Sequence, residues 1–137
     1  MEPTNRLFTL LLVLLSFNSM NISAQVVEWI APVPTITYGI DYDQFDNSFT
    51  IGSFSNTVTV ASNTYTSNGS SDIMVIKNDA AGNIVWATSL GSNLADYPAD
   101  IVYDGIGNVW ITGQTEGNFS AGTFNLTAAG QGDAFVV

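Results

Sequence analysis

A repeat of 61 residues constrains the fold of this chain more than any other feature of its sequence. Shifting the chain by 61 positions aligns residues 38–76 with residues 99–137 without a gap and gives nine identities. These fall on glycines, turn-forming residues and alternate apolar positions, as expected when two copies of one structural unit share a fold. The identical pairs are Ile40/Ile101, Tyr42/Tyr103, Asp43/Asp104, Asn47/Asn108, Gly52/Gly113, Thr66/Thr127, Gly69/Gly130, Asp72/Asp133 and Val75/Val136.

The pattern inside each repeat predicts β-strands. Its apolar runs are rich in β-branched and aromatic residues, and none keeps the 3.6-residue period of a helix beyond one turn. Four antiparallel strands that recur at such a spacing are typical of a propeller blade. The predicted fold class is therefore all-β, with propeller-type four-stranded antiparallel blades. In the first repeat we expect principal strands near 39–43, 47–53, 72–77 and 83–89, and a small extra hairpin at 57–60 and 63–66.

A D-x-x-G-N motif predicts three hairpin turns. They lie at residues 79–83, at 104–108 and, with Asp46 replacing glycine, at 43–47. An aspartate at the start of a turn accepts backbone N–H bonds, and glycine near its end tolerates positive φ. Asp46 can adopt the same left-handed conformation, though less easily than glycine. The alternative is a calcium loop, but these turns carry too few carboxylates at EF-hand spacing. We expect structural turns.

The N-terminal residues 1–24 have the pattern of a secretory signal peptide. Arg6 precedes an apolar run from Leu7 to Leu15, and a polar stretch then ends at the small residue Ala24. The run is too short for a membrane span, which needs about 20 residues. We expect an exported mature chain, secreted or displayed at the cell surface, that begins at Gln25; an uncleaved anchor is the alternative.

The composition of that mature chain excludes several classes of protein. Lys77 is its only base against eleven acidic residues, so a nucleic-acid partner is not expected. Cysteine and histidine are absent, which excludes disulfides, a Ser-His-Asp triad and zinc sites that use those residues. The only metal sites that remain available are hard-cation sites made of carboxylates and carbonyls, so no cofactor is expected, with weakly bound Ca²⁺ as the alternative.

Motifs in both repeats resemble a known family. Residues 100–113 are similar to the pattern D-x-x-G-N-x-Y-x-T-G, and residues 130–137 to G-G-x-D-A-F-V-x-K. Residues 72–77 are a second copy of the latter motif that includes its lysine, and residues 83–91 are similar to G-N-x-x-W-x-x-x-L-G-G. Ser92 replaces the last glycine of that motif. Together these patterns resemble the bacterial β-propeller repeat family abbreviated SBBP.

This resemblance covers about residues 38–137. It implies a propeller of several blades, commonly found in exported or surface proteins of bacteria. It implies no catalytic residue that could be transferred to this sequence.

The repeat also predicts how the chain is divided. We expect a partial propeller over residues 25–137, with a closing strand and linker at 25–37, a first blade at 38–98 and an incomplete second blade at 99–137. That is about 1.7 blades, fewer than the 4–8 needed for a ring. The chain is thus expected to be an N-terminal fragment whose further blades belong to the same polypeptide. The rival interpretation is a small sheet that assembles as an oligomer.

Several side chains invite a functional interpretation. Trp29, Trp86 and Trp110 could stack on a sugar, but their positions on strands favour packing between blades. Asp41, Asp43 and Asp46 could form a weak Ca²⁺ site, but a solvated loop is the favoured interpretation. Asp72 and Asp133 begin equivalent strands and are expected to accept bonds from neighbouring backbone N–H groups.

The sequence thus predicts no catalytic, cofactor-binding or metal-ligating residue. The favoured function is a non-catalytic scaffold, binding or adhesion module whose partner is an extracellular protein or glycan. The alternative is a fragment of an extracellular carbohydrate-active hydrolase or lyase that uses Asp and Tyr at the mouth of the ring.

Overall fold

The computed structural model describes residues 35–130 and 132–137. The predicted signal peptide and the segment around Trp29 lie outside these residues. Eleven strands are described. They are β1 (Ile36–Tyr42), β2 (Ser48–Phe54), β3 (Thr57–Val60), β4 (Asn63–Thr66), β5 (Asp72–Asn78), β6 (Ile84–Leu90), β7 (Asp96–Tyr103), β8 (Val109–Thr115), β9 (Phe119–Ala121), β10 (Phe124–Leu126) and β11 (Asp133–Val136).

The strands form two antiparallel sheets and two small hairpins. The first sheet has the order β1-β2-β5-β6, and the second has the order β11-β8-β7. The hairpins β3–β4 and β9–β10 project from equivalent places in the two repeats. The all-β fold and the four-stranded antiparallel sheet of the first repeat are therefore confirmed. The strand predictions are also confirmed, except that β1 begins at Ile36 rather than near residue 39.

The repeat is visible in the strands themselves. Ser48 and Val109, which begin β2 and β8, lie 61 positions apart, as do Asp72 and Asp133, which begin β5 and β11. A β-bulge lies between Thr37 and Gly39 in β1, and another at the equivalent place between Pro98 and Asp100 in β7. The sequence pattern does not predict this bulge. It bends both strands and increases their local twist.

The core lies between the two sheets. Phe49 and Ile51 of β2 and Ile73 and Val75 of β5 project from one face of the first sheet, because alternate residues of a strand share a face. They pack against Ile101, Ile111, Phe119 and Phe135 of the second repeat, and all eight are buried. A separate cluster lies on the other face of the first sheet under the β3–β4 hairpin and contains Phe54, Val60, Met74 and Ile76.

The two sheets stack head to tail. Phe49 and Ile51 project from one face of the first sheet, while Ile40, paired with Thr50, projects from the opposite face. The second sheet meets them with Ile101, which is the repeat equivalent of Ile40. Each sheet therefore has two different faces, and opposite faces meet in the contact.

The contact is closest where β7 crosses β1. The rings of Phe49 and Tyr103 stack with centroids 5.4 Å apart and planes 8° from parallel. The Tyr103 backbone N–H donates to Asp41 Oδ2 at 2.6 Å. A Cβ on Gly39 would lie 3.1 Å from Asp100 Oδ1 and 3.4 Å from the Ile101 nitrogen, so a glycine permits this approach.

We expect Phe49→Ala to lower the free energy of unfolding by about 3–5 kcal/mol, because it leaves a cavity between the sheets. The repeat supplies a matched control: Trp110, the equivalent of Phe49, is 52% exposed where Phe49 is 4% exposed. Trp110→Ala should cost less than about 1 kcal/mol. Urea denaturation at low protein concentration measures both. Equal losses for the two variants would contradict the stacking described here.

Candidate binding groove

The candidate functional site is an apolar groove beside the second sheet, with a volume of about 1060 Å³. It lies between β6 of the first sheet, β8 and β11 of the second sheet, and the β9–β10 hairpin. Phe124 at the hairpin is 75% exposed and Trp110 is 52% exposed, so the groove opens to solvent. Its lining residues are Thr88, Leu90, Asn108, Val109, Trp110, Ile111, Phe119, Ala121, Gly122, Phe124, Asn125, Leu126, Thr127, Val136 and Val137.

The wall of the groove is held by the pairing of β8 with β11. Ile111 and Val137 exchange backbone hydrogen bonds, of 2.8 Å from the Ile111 N–H and 3.0 Å from the Val137 N–H. Phe119 and Phe135 make an edge-to-face contact at 5.1 Å beneath the hairpin. The other edge of β11 pairs with no strand in the described part of the chain. A strand edge thus borders an apolar groove.

The lining determines the chemistry that the groove can perform. Its polar side-chain groups are the amides of Asn108 and Asn125, the hydroxyls of Thr88 and Thr127 and the indole N–H of Trp110, and no titratable side chain is among the described residues that line it. Amides and hydroxyls donate and accept hydrogen bonds, while the apolar walls gain from excluding water. This combination of apolar walls and hydrogen-bonding groups suits the groove to binding.

The three predicted D-x-x-G-N turns are confirmed. In the turn at 104–108, Asp104 Oδ1 accepts bonds from the Ile106 and Asn108 N–H groups, both at 2.9 Å. The turns at Asp79 and Asp43 have the same bonds. The fourth residue has positive φ in each turn: 62° at Asp46, 83° at Gly82 and 121° at Gly107.

These hydrogen bonds change the acidity of the turn carboxylates. The Asn47 side-chain amide lowers the pKa of Asp43, with help from backbone N–H groups and Lys77, although burial opposes them. The Asn83 amide lowers the pKa of Asp79 in the same way. At Asp104 burial is the largest single influence and raises the pKa, but the combined hydrogen bonds outweigh it and the pKa is lowered.

Asp72 and Asp133 accept backbone hydrogen bonds, as predicted. Asp72 Oδ2 accepts from the Asn68 N–H at 3.0 Å. Asp133 Oδ2 accepts from the Ala129 N–H at 2.6 Å and from the Gly130 N–H at 3.1 Å. Both carboxylates fix the loop that precedes their strand.

The prediction of a solvated loop for Asp41, Asp43 and Asp46 was wrong in two of the three cases. Asp43 is buried, because its carboxylate closes the turn and lies 3.6 Å from Lys77 Nζ. Asp41 bonds the second repeat through the Tyr103 N–H. The described residues contain no group of three or more acidic side chains that could hold a metal ion.

Trp110 does not pack between the two described sheets, and its packing between blades stays a prediction. Trp86 lies at the margin of the core, with its ring centroid 6.3 Å from that of Phe49, and is 37% exposed. Trp110 is 52% exposed because it projects from the face of the second sheet that no described element covers. Trp29 lies outside the described residues.

Sequence reasoning missed Asp96, which is fully buried at the start of β7. Its Oδ2 accepts bonds from the Ser92 N–H at 2.6 Å and the Ser92 hydroxyl at 3.0 Å, while Oδ1 has no hydrogen-bond partner among the described residues. The Asp96 N–H donates to the Ser71 carbonyl, which joins β7 of the second sheet to the loop before β5 of the first. The only signal in the sequence is the short spacing from Ser92 to Asp96, which is common in loops.

No protein-family model and no curated protein matches this chain. Over residues 35–130 and 132–137, no helix has the length and apolar character that crossing a membrane requires.

We expect the protein to lose stability as the pH falls below about 4. The pKa values of Asp43, Asp79 and Asp104 are lowered in the folded state, so their stabilisation is complete above the ordinary aspartate pKa of about 3.9. It is lost as the pH falls through the lower folded values. Thermal unfolding between pH 2 and 6 measures this loss. Replacing all three aspartates by asparagine should weaken the fall of the unfolding temperature at acidic pH. An unchanged fall would contradict the role of these turns.

We expect Asp96→Ala to destabilise the fold by about 1–3 kcal/mol, because it leaves the buried Ser92 donors without an acceptor. Asp96→Asn keeps an oxygen that can accept from the Ser92 N–H and hydroxyl groups, so it should cost less. Urea denaturation of both variants measures the two losses. A loss in Asp96→Asn as large as that in Asp96→Ala would contradict the account.

Proposed function

We propose that the protein is an exported repeat protein of propeller type that acts as a non-catalytic binding module or scaffold. Its partner is an apolar, extended segment of an extracellular protein, taken up in the groove. The observation that carries this proposal is the composition of the groove, which joins apolar walls to amide and hydroxyl groups and contains no titratable side chain among its described residues.

The edge of β11 supports an extended partner. Val136 of β11 and the neighbouring Val137 line the groove, and among the described strands β11 lies at the edge of its sheet. An extended peptide can add to such an edge through main-chain hydrogen bonds, while apolar pockets accept its alternate side chains. Peptide binding therefore uses both features of the groove.

The carboxylates support a non-catalytic role. Asp43, Asp79 and Asp104 bind the backbone of their own turns. Asp72 and Asp133 bind the loops before their strands. These groups serve equivalent structural tasks in both repeats, whereas an active site needs one special constellation.

The propeller-type assignment is supported by the arrangement of the strands. Four successive principal strands form one antiparallel sheet in the first repeat, and the second repeat stacks on its face. Propellers are built from repeated four-stranded sheets arranged around an axis. The motifs that resemble the SBBP repeat, and the predicted signal peptide, support an exported protein of this kind.

A binding screen tests the proposal. The purified protein should bind a subset of short random peptides with alternating apolar residues, and Phe124→Asp should abolish that binding because it places a charge in the groove. Ile106→Asp is the matched control, because Ile106 is 85% exposed on a turn outside the groove. A glycan array and a polysaccharide degradation assay run beside it. Glycan binding without peptide binding, or degradation of a polysaccharide, would overturn the proposal.

A further inference from the structure

Two apolar faces are left uncovered at opposite ends of the described stack. The first, here called the Trp110 face, belongs to the second sheet and carries Val102, Trp110 and Val136, which are 49%, 52% and 65% exposed. The second, here called the Ile40 face, belongs to the first sheet and carries Ile40 and Tyr42, which are 57% and 66% exposed. Contiguous apolar exposure of this kind marks an interaction surface.

The 61-residue relation identifies what each face fits. Trp110 is the equivalent of Phe49 and Val136 of Val75, and these two counterparts are only 4% and 1% exposed in the contact between the sheets. Ile40 is the equivalent of Ile101, which is 2% exposed on the other side of the same contact. The two uncovered faces are therefore the two complementary sides of a contact that the chain already makes once.

We propose that the Trp110 face binds the Ile40 face of a second copy of this chain. The incoming copy repeats the internal contact: its Tyr42 stacks on Trp110 as Tyr103 stacks on Phe49. This inference goes beyond the proposed binding function, because it concerns the assembly of the chain and rests on the internal contact between the sheets.

The symmetry of the contact determines the form of the assembly. The two faces differ, so the contact is heterologous, and each added copy presents a new Trp110 face. Such a contact gives rings where the rotation closes and open stacks where it does not. A closed dimer through two identical faces is not expected.

Charge and one lost hydrogen bond weaken the contact between copies relative to the internal contact. Val102 stands where the first repeat has Asp41, so the bond that Asp41 makes to the Tyr103 N–H has no equivalent. Each chain also carries a net charge of −10, and copies therefore repel one another until salt screens them. Association should increase with both protein concentration and ionic strength.

Sedimentation velocity on two single-face variants tests the proposal. The wild-type protein should form concentration-dependent oligomers at moderate salt. Ile40→Asp and Trp110→Asp should each sediment as monomers, because each lacks one of the two faces. An equimolar mixture should form dimers and nothing larger, because the intact Trp110 face of one variant meets the intact Ile40 face of the other. Circular dichroism checks that both variants keep the β-fold.

Phe124→Asp separates this inference from the proposed function. Trp110 and Val136 belong to both the groove and the Trp110 face, whereas Phe124 belongs to the groove and not to that face. Phe124→Asp should therefore abolish peptide binding and leave self-association unchanged, and Ile40→Asp should abolish self-association and leave peptide binding unchanged. A wild-type protein that stays monomeric at every concentration and salt, or a mixture that stays monomeric, would overturn the inference. An oligomer that survives Ile40→Asp would also overturn it, since such a contact would not use the Ile40 face.

Discussion

The contact between the two sheets is the interaction on which the rest of this structure depends. An antiparallel sheet has two faces, and β5 of the first sheet is apolar toward both, with Ile73 and Val75 on one side and Met74 and Ile76 on the other. The β3–β4 hairpin covers one side, and the second repeat covers the other. Without the second repeat, the larger of the two apolar clusters among the described residues would face water, and burial of such surface is the dominant favourable term in folding.

The polar groups serve that contact by fixing loops and turns around it. The protein is strongly acidic, yet its described carboxylates are largely engaged in hydrogen bonds with nearby N–H groups. Asp104 and Asp79 shape turns that join neighbouring strands, Asp72 fixes a loop, and Asp41 reaches across to the second repeat. Lys77 lies against both Asp43 and the ring of Phe49, at 4.8 Å from its centroid. These charged side chains therefore have structural roles.

Much of the fold could be predicted from the sequence because its signals are local. The alternation of residue types along a strand and the D-x-x-G-N motif depend only on neighbouring residues. The alternation alone predicts both strands of the small hairpin, 57–60 and 63–66, with their observed bounds. The bulges, the buried Asp96 and the exposure of Trp110 could not be predicted. Each depends on which face of one sheet meets another, and that is a property of distant residues. The groove was missed for the same reason, since its lining comes from both repeats.

Nuclear Overhauser contacts between the two sheets test the central claim most directly. The account predicts contacts between the ring protons of Phe49 and Tyr103, and between the methyl groups of Ile51 and Ile101. Contacts between β2 and β5 provide the internal reference, because they depend on the first sheet alone. Loss of the contacts between sheets while those within the first sheet persist would contradict the account.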